Sequence, residues 1–225
     1  MKKIIILLLL RLPLLVCSQQ SEDTLFVNES KINISGGMGI AAIYINNLAD
    51  YLNSYSSTLD YSTISTIPVF FINCEYRFSD NYGIKIDYNY MLKTYNVESN
   101  LSMARNIDAS YYIHSPALLL NYIIRDKGYL FKFGAGLSYN YVELETNAST
   151  TGIKTTYKST GLGLRLDAHG HTQFSKNLYL IFALGISSGF LSDLESDSDH
   201  VLTYDKNINI SFVSASLSLG LAYYF

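Results

Sequence analysis

The chain has 225 residues, with 16 basic against 19 acidic side chains and 20 tyrosines but no tryptophan. That balance excludes a nucleic-acid binder, which needs a basic footprint. After the N-terminal segment no apolar run approaches the ~20 residues of a spanning helix, so the chain is either a secreted soluble protein or one that crosses a membrane as strands.

Residues 1–18 read as a signal peptide. Lys2 and Lys3 precede an apolar run from Ile4 to Leu10, extended by Leu14, Leu15 and Val16. Val16-Cys17-Ser18 offers a cleavage site, with a mature start near Gln19. Lipidation of Cys17 is the alternative, although Val16 stands where a lipobox takes a small residue. Without Lys2, Lys3 and Arg11 the balance is 13 basic to 19 acidic residues, a net charge of −6. Cys74 then stands alone, so the mature chain has no intrachain disulfide. Residues 19–30 are polar and acidic and read as a short periplasmic lead-in.

From Lys31 the apolar period is two, as in a strand whose faces differ. The first strand sets Ile32, Ile34, Met38, Ile40 and Tyr44 against Asn33, Ser35, Gly37 and Gly39. After a polar stretch, 46–62, the second sets Phe70, Ile72, Cys74, Tyr76 and Phe78 against Val69, Phe71, Asn73, Glu75 and Arg77. Ser79-Asp80-Asn81 is a tight turn. The third sets Ile84, Ile86, Tyr88 and Tyr90 against Lys85, Asp87, Asn89 and Lys93, and a polar loop covers 97–107. The fourth sets Tyr112, Leu118, Leu120, Tyr122 and Ile124 against Ser115, Ala117 and Asn121, before a turn at 125–128. The fifth sets Phe131, Phe133, Leu137, Tyr139 and Tyr141 against Lys132, Gly134, Ser138 and Asn140. A Thr-rich loop is predicted at 146–156. The sixth sets Leu162, Leu164, Leu166 and Phe174 against Arg165, Asp167, His169, His171 and Gln173, and a turn falls at 175–177. The seventh sets Leu180, Phe182, Leu184, Ile186 and Phe190 against Tyr179, Ala183, Gly185 and Ser187. An acidic loop spans 192–206. The last strand sets Val213, Leu217, Leu219, Leu221, Tyr223 and Phe225 against Ser214, Ser216, Ser218 and Gly220.

Three short turns thus alternate with four long loops, giving about eight antiparallel strands with short connections at one end and long ones at the other. A soluble β-sandwich also alternates, but it turns its apolar face inward and charges its outer faces. Here the polar face is rich in Gly, Ser and Asn, and the apolar face begins and ends in aromatics on strand after strand. Those are the interfacial girdles of a membrane barrel. The predicted class is all-β, a transmembrane antiparallel up-and-down β-barrel over residues 31–225.

A signal peptide, about eight alternating strands, short turns and a terminal Leu221-x-Tyr223-x-Phe225 together resemble the small outer-membrane β-barrel superfamily, the OmpA/OmpX/OmpW-type barrels. The resemblance covers the whole mature chain and is one of pattern. It implies a monomer in the outer membrane of a Gram-negative bacterium, with termini in the periplasm. Leu221, Tyr223 and Phe225 would be the signal read by the barrel-assembly machinery. Periplasmic chaperones, outer-membrane lipids and lipopolysaccharide are the implied partners.

By parity Glu75, Arg77, Lys85, Asp87, Lys132, Arg165, Asp167, His169 and His171 point into a lumen barely wide enough for its own side chains. Charges there must pair, so the expectation is a salt-bridge plug; the alternative is a gate that passes ions or small, including hydrophobic, solutes. His169 and His171 form an HxH pair that could hold a metal or seed a hydrolase site, as in lipid A-modifying barrels. No third ligand stands at a predictable spacing and no Ser/His/acid set matches, so no catalytic, cofactor or metal residue is expected. Asp193, Glu195, Asp197 and Asp199 alternate as Ca²⁺ ligands might be spaced but lack the turn glycine, and read as a solvated loop. Gly36-Gly37 and Gly161-x-Gly163 open no helix, which excludes a phosphate loop and leaves close wall packing. The functional expectation is a non-enzymatic surface-interaction scaffold displaying four extracellular loops.

Overall fold

Alternation with period two has one outcome when every strand carries it: a sheet with an apolar and a polar face, which curls until its edges meet. The computed structural model describes residues 30–45, 48, 53, 64–97, 107–126, 129–148, 153–193, 195–196 and 210–225. The segment read as a signal peptide, nearly all of the predicted lead-in and most of the predicted long loops lie outside the described residues.

The strands are β1 Ile32–Ile45, β2 Ile64–Arg77, β3 Tyr82–Val97, β4 Ile107–Asp126, β5 Tyr129–Ala148, β6 Ile153–Gln173, β7 Leu178–Leu191, the two-residue β8 Glu195–Ser196 and β9 Phe212–Tyr224. The eight long strands pair antiparallel with their sequence neighbours, and β1 pairs with β9 to close the ring. That last seam runs from Asn33↔Tyr224 to Ile45↔Phe212. The Phe225 N–H donates to the Ile32 carbonyl (3.1 Å), carrying the seam to the last residue. Closure leaves no long-strand edge unpaired, as a hydrocarbon environment requires.

The predicted faces are the observed ones. Ile86, Leu137, Leu162 and Leu219 are among the exposed residues of the outer wall, whereas Asn33, Asn73, Glu75, Lys85, Asp87 and Asn121 are buried inside it. This is a soluble protein inverted, and the greasy exterior is the surface of a membrane-spanning barrel. Aromatics end the outer face at both levels, with Tyr76, Phe78, Tyr122, Phe131, Phe174 and Phe225 at the short-turn end and Tyr44, Phe70, Tyr139 and Phe190 at the other. The free Cys74 thiol is exposed on the outer face.

Both barrel prolines sit where a rung is missing. The β4–β5 register skips from His114↔Tyr141 to Ala117↔Ser138, omitting Pro116. The β2–β3 register starts at Val69↔Met91, one residue past Pro68. Proline lacks the N–H that such rungs use.

Three differences from the sequence reading have physical causes. The Thr-rich segment 146–156 is not one loop: β5 runs on to Ala148 and β6 begins at Ile153. Thr146 and Thr155 are both buried there, as β-branched residues on a sheet's inner face. Part of the acidic loop is ordered too, since Glu195 and Ser196 pair with Lys158 and Tyr157 of β6. The inner face is also not uniformly polar. Ile43, Ile67, Val69, Met91, Ile113, Val142 and Leu144 point inward near the long-loop end and form an apolar cluster with Leu48, Ile210 and Phe212.

Strand length gives the barrel one tall side. A tilted strand crosses a bilayer with about 9–11 residues. β1, β2 and β7 have 14 residues, whereas β4 and β5 have 20 and β6 has 21. The excess stands beyond the aromatic girdle at the long-loop end. Its outer face is charged, with Lys154 paired to Glu145 at 2.7 Å. That hydrogen bond raises the Lys154 pKa above the ordinary lysine range.

Candidate functional site: the lumen charge layer

Parity alone aims the charges inward; closure decides which of them meet. Glu75 (β2) lies opposite Lys85 (β3) in the ladder, yet each finds its partner across the lumen. The Glu75 carboxylate accepts from Lys132 Nζ of β5 at 2.6 Å, from Asn33 of β1 at 3.2 Å and from Asn121 of β4. Lys85 Nζ donates to Asp167 of β6 at 2.5 Å. Two residues further along β3, Asp87 pairs with Arg165 at 3.1 Å. Three cations and three carboxylates therefore form three pairs, each side chain at most 8% exposed. Such pairing is what burial of a charge demands, since an unmatched ion there costs several kcal/mol.

The histidines extend this layer towards the short-turn end. His169 Nε2 lies 3.2 Å from Lys85 Nζ and 3.3 Å from Asp167. Nε2 accepts from the ammonium or donates to the carboxylate according to the ring's tautomer. His171 stacks on His169 at a 6.0 Å centroid separation, and its Nδ1 is 3.1 Å from the Tyr224 hydroxyl. Arg77 stands apart from the three pairs, half-buried at the short-turn rim, where its N–H donates to the Lys31 carbonyl (2.7 Å).

Sequence reasoning missed Tyr224 as a site residue. It lies between the outward Tyr223 and Phe225, points inward and is 4% exposed. Its ring sits under Lys132 Nζ at 5.3 Å and against Tyr179 at 4.6 Å. The even parity of Tyr224 was the available clue. The lumen amides were also overlooked: Ser35 donates to Asn73 (2.5 Å), and Ser115 to Asn140 (2.7 Å).

Three groups of inward side chains follow one another along the lumen. Ile123, Leu130, Tyr179, Ile181, Ala222 and Tyr224 pack at the short-turn end. The ion pairs follow, and the cluster around Ile43, Met91 and Ile113 closes the long-loop end. Among the described residues no group of His, Cys, Asp or Glu is placed to hold a metal ion. Asp193 is exposed and Glu195 lies in the β6–β8 pairing, while Asp197 and Asp199 lie outside the described residues. Leu221, Tyr223 and Phe225 all face outward, and the last two rings meet edge-on at 5.1 Å.

Solved structures share this architecture. The fold is that of the small eight-stranded outer-membrane β-barrels. Neisserial surface protein A matches with a TM-score of 0.51 at 14% identity, over 87% of this chain and 98% of that one. The outer membrane protein OprG of Pseudomonas aeruginosa matches with a TM-score of 0.54 at 13% identity, over 87% and 97%. Ail, the attachment invasion locus protein of Yersinia pestis, solved with the heparin analogue sucrose octasulfate, matches with a TM-score of 0.52 at 12% identity, over 86% and 99%. At such identities the likeness is one of fold. No protein-family model matches the sequence, and a search of curated proteins finds no match.

Proposed function

We propose that this chain is an integral outer-membrane protein of a Gram-negative bacterium whose filled barrel is a rigid, non-enzymatic scaffold for surface interaction. The observation that carries the reading is the three-layered lumen. A conduit needs a path, and here ion pairs stand between two apolar clusters. The tall β4–β6 wall supports the same reading, because it holds sheet structure beyond the membrane on the side of the long connections. The short-turn end then faces the periplasm and the long connections face the outside. His169 and His171 are buried in the lumen, with the barrel wall between them and any lipid substrate, which supports a non-enzymatic role. Outer-leaflet lipid and lipopolysaccharide contact the outer wall, and the assembly machinery with its chaperones delivers a monomer.

Two measurements test this. Purified barrel in planar bilayers should give no single-channel steps, and grafting its long loops onto an unrelated small barrel should transfer cell-surface binding. Steady conductance from the native barrel overturns the scaffold.

A second reading, a route for small hydrophobic solutes, is favoured by the β2–β3 seam. Its register is the shortest between neighbouring long strands, and above Val69↔Met91 the strands meet through side chains: Lys93 Nζ donates to the Thr66 carbonyl (3.1 Å), and the Ser65 and Tyr95 hydroxyls are hydrogen-bonded. An oxidised Thr66→Cys/Thr94→Cys pair should abolish uptake of a fluorescent apolar probe if that seam is the route, and leave it unchanged if it is not.

A further inference from the structure

Among the buried ion pairs, Arg165 is the least satisfied. Its Nη2 meets Asp87, but Nε and Nη1 have no hydrogen-bond partner in the protein. Two acceptors are in the same condition, Asn89 Oδ1 and Asp167 Oδ1, and Asp87 Oδ2 has Arg165 Nη2 alone. All four residues line one cavity of about 20 Å³, with His169 and Ser216 also in its wall. Asn89, Asp87, Arg165 and Asp167 are each at least nine-tenths buried. Polar atoms so placed are rarely left unpartnered, because burial strips their hydration without replacing it.

The chemistry of the wall selects the occupant. A metal cation would sit against the Arg165 guanidinium, and an anion against two carboxylates. The pairs Asp87–Arg165 and Asp167–Lys85 are already neutral, so no net charge draws an ion in. What the set needs is a small molecule that both donates and accepts. A volume of about 20 Å³ holds one water, for which roughly 10–15 Å³ suffices.

We propose that this cavity is a resident water site. The water accepts from Arg165 and donates to Asn89 Oδ1 and to the Asp167 carboxylate, joining the Asp87–Arg165 pair to the Lys85–Asp167–His169 group. It makes one network out of pairs contributed by β3 and β6, on opposite sides of the lumen. This goes beyond the scaffold reading and does not rest on it, since one water held by fixed side chains carries no current.

The test is the full-length barrel in detergent or nanodiscs, with ¹⁵N-labelled arginine. The Arg165 Nε–H should show a cross-relaxation peak to water with the sign of a long-lived bound molecule. Asn89→Leu, which removes one acceptor and fills space, should abolish that peak while the barrel still migrates as a folded, heat-modifiable band. Absence of the peak in the folded native protein overturns the site. Crystals soaked in bromide or rubidium give a second readout: an anomalous peak in the cavity means an ion site and overturns the water. Blank anomalous maps with solvent density bonded to Arg165 support it.

Discussion

Glu75 shows how much one lumen side chain can hold. Its carboxylate is shared among β1, β4 and β5 through Asn33, Asn121 and Lys132. Removing it strands a buried ammonium, which costs about 3–5 kcal/mol. Glu75→Ala should therefore lower the free energy of urea unfolding of the folded barrel by that much, whereas Glu75→Leu with Lys132→Met should recover most of the loss. Equal destabilisation by the single and double changes would show that the pair is not what holds these strands. Gly37 works through space. A Cβ there would run into the Leu219 carbonyl across the β1–β9 seam and into the Phe71 ring of β2. Gly37→Val should cut the yield of assembled barrel several-fold, as read from the heat-modifiable band on a gel. Assembly at the native level would mean that the seam has slack.

At the scale of the element, β9 carries both the outer wall and the last lumen layer. Leu219 lies near the middle of its exposed face, level with Met38 on β1 and Phe182 on β7. Leu219→Arg should cost about 2–4 kcal/mol, the price of a charge at the bilayer midplane, with a smaller effect for Val213→Arg nearer the rim. Matching effects at the two positions would place the hydrocarbon band elsewhere. Phe225 adds one seam hydrogen bond and one ring contact. Its deletion should reduce outer-membrane yield more than it lowers the urea midpoint of barrel that does form. A normal yield would remove the terminal aromatic from the assembly signal.

For the whole molecule, the proposed plug sets an apolar cluster at each end of the ionic layer. Truncating Ile43 and Ile113 to Ala should leave planar-bilayer recordings silent, and so should Asp167→Asn alone. Both changes together with Ile123 and Ile181 truncated to Ala, which opens all three layers, should conduct. Current through either variant by itself would mean that a single layer closes the lumen. The strand pattern, the face assignment and the inward aim of Glu75, Lys85, Asp87, Lys132, Arg165 and Asp167 were all legible in the chain, because side chains alternate with a fixed period of two. The extent of β5 and β6 was not, since Thr146 to Thr156 has the composition of a loop. The apolar cap was equally hidden. Ile43 and Tyr44 are apolar on both faces, and periodicity cannot say that one face meets lipid while the other meets Met91 and Ile113.

What the sequence determined by itself is the inversion: alternating apolar and polar positions, repeated eight times, admit a closed barrel with its grease outside. What only the tertiary structure decided is the pairing. The stagger of a closed barrel rotates each strand's charges past its neighbour's, so Lys85 meets Asp167 of β6 although Glu75 faces it across the β2–β3 ladder. No local rule sets that choice, because the two partners are 82 positions apart and are brought together only when β1 and β9 close the ring.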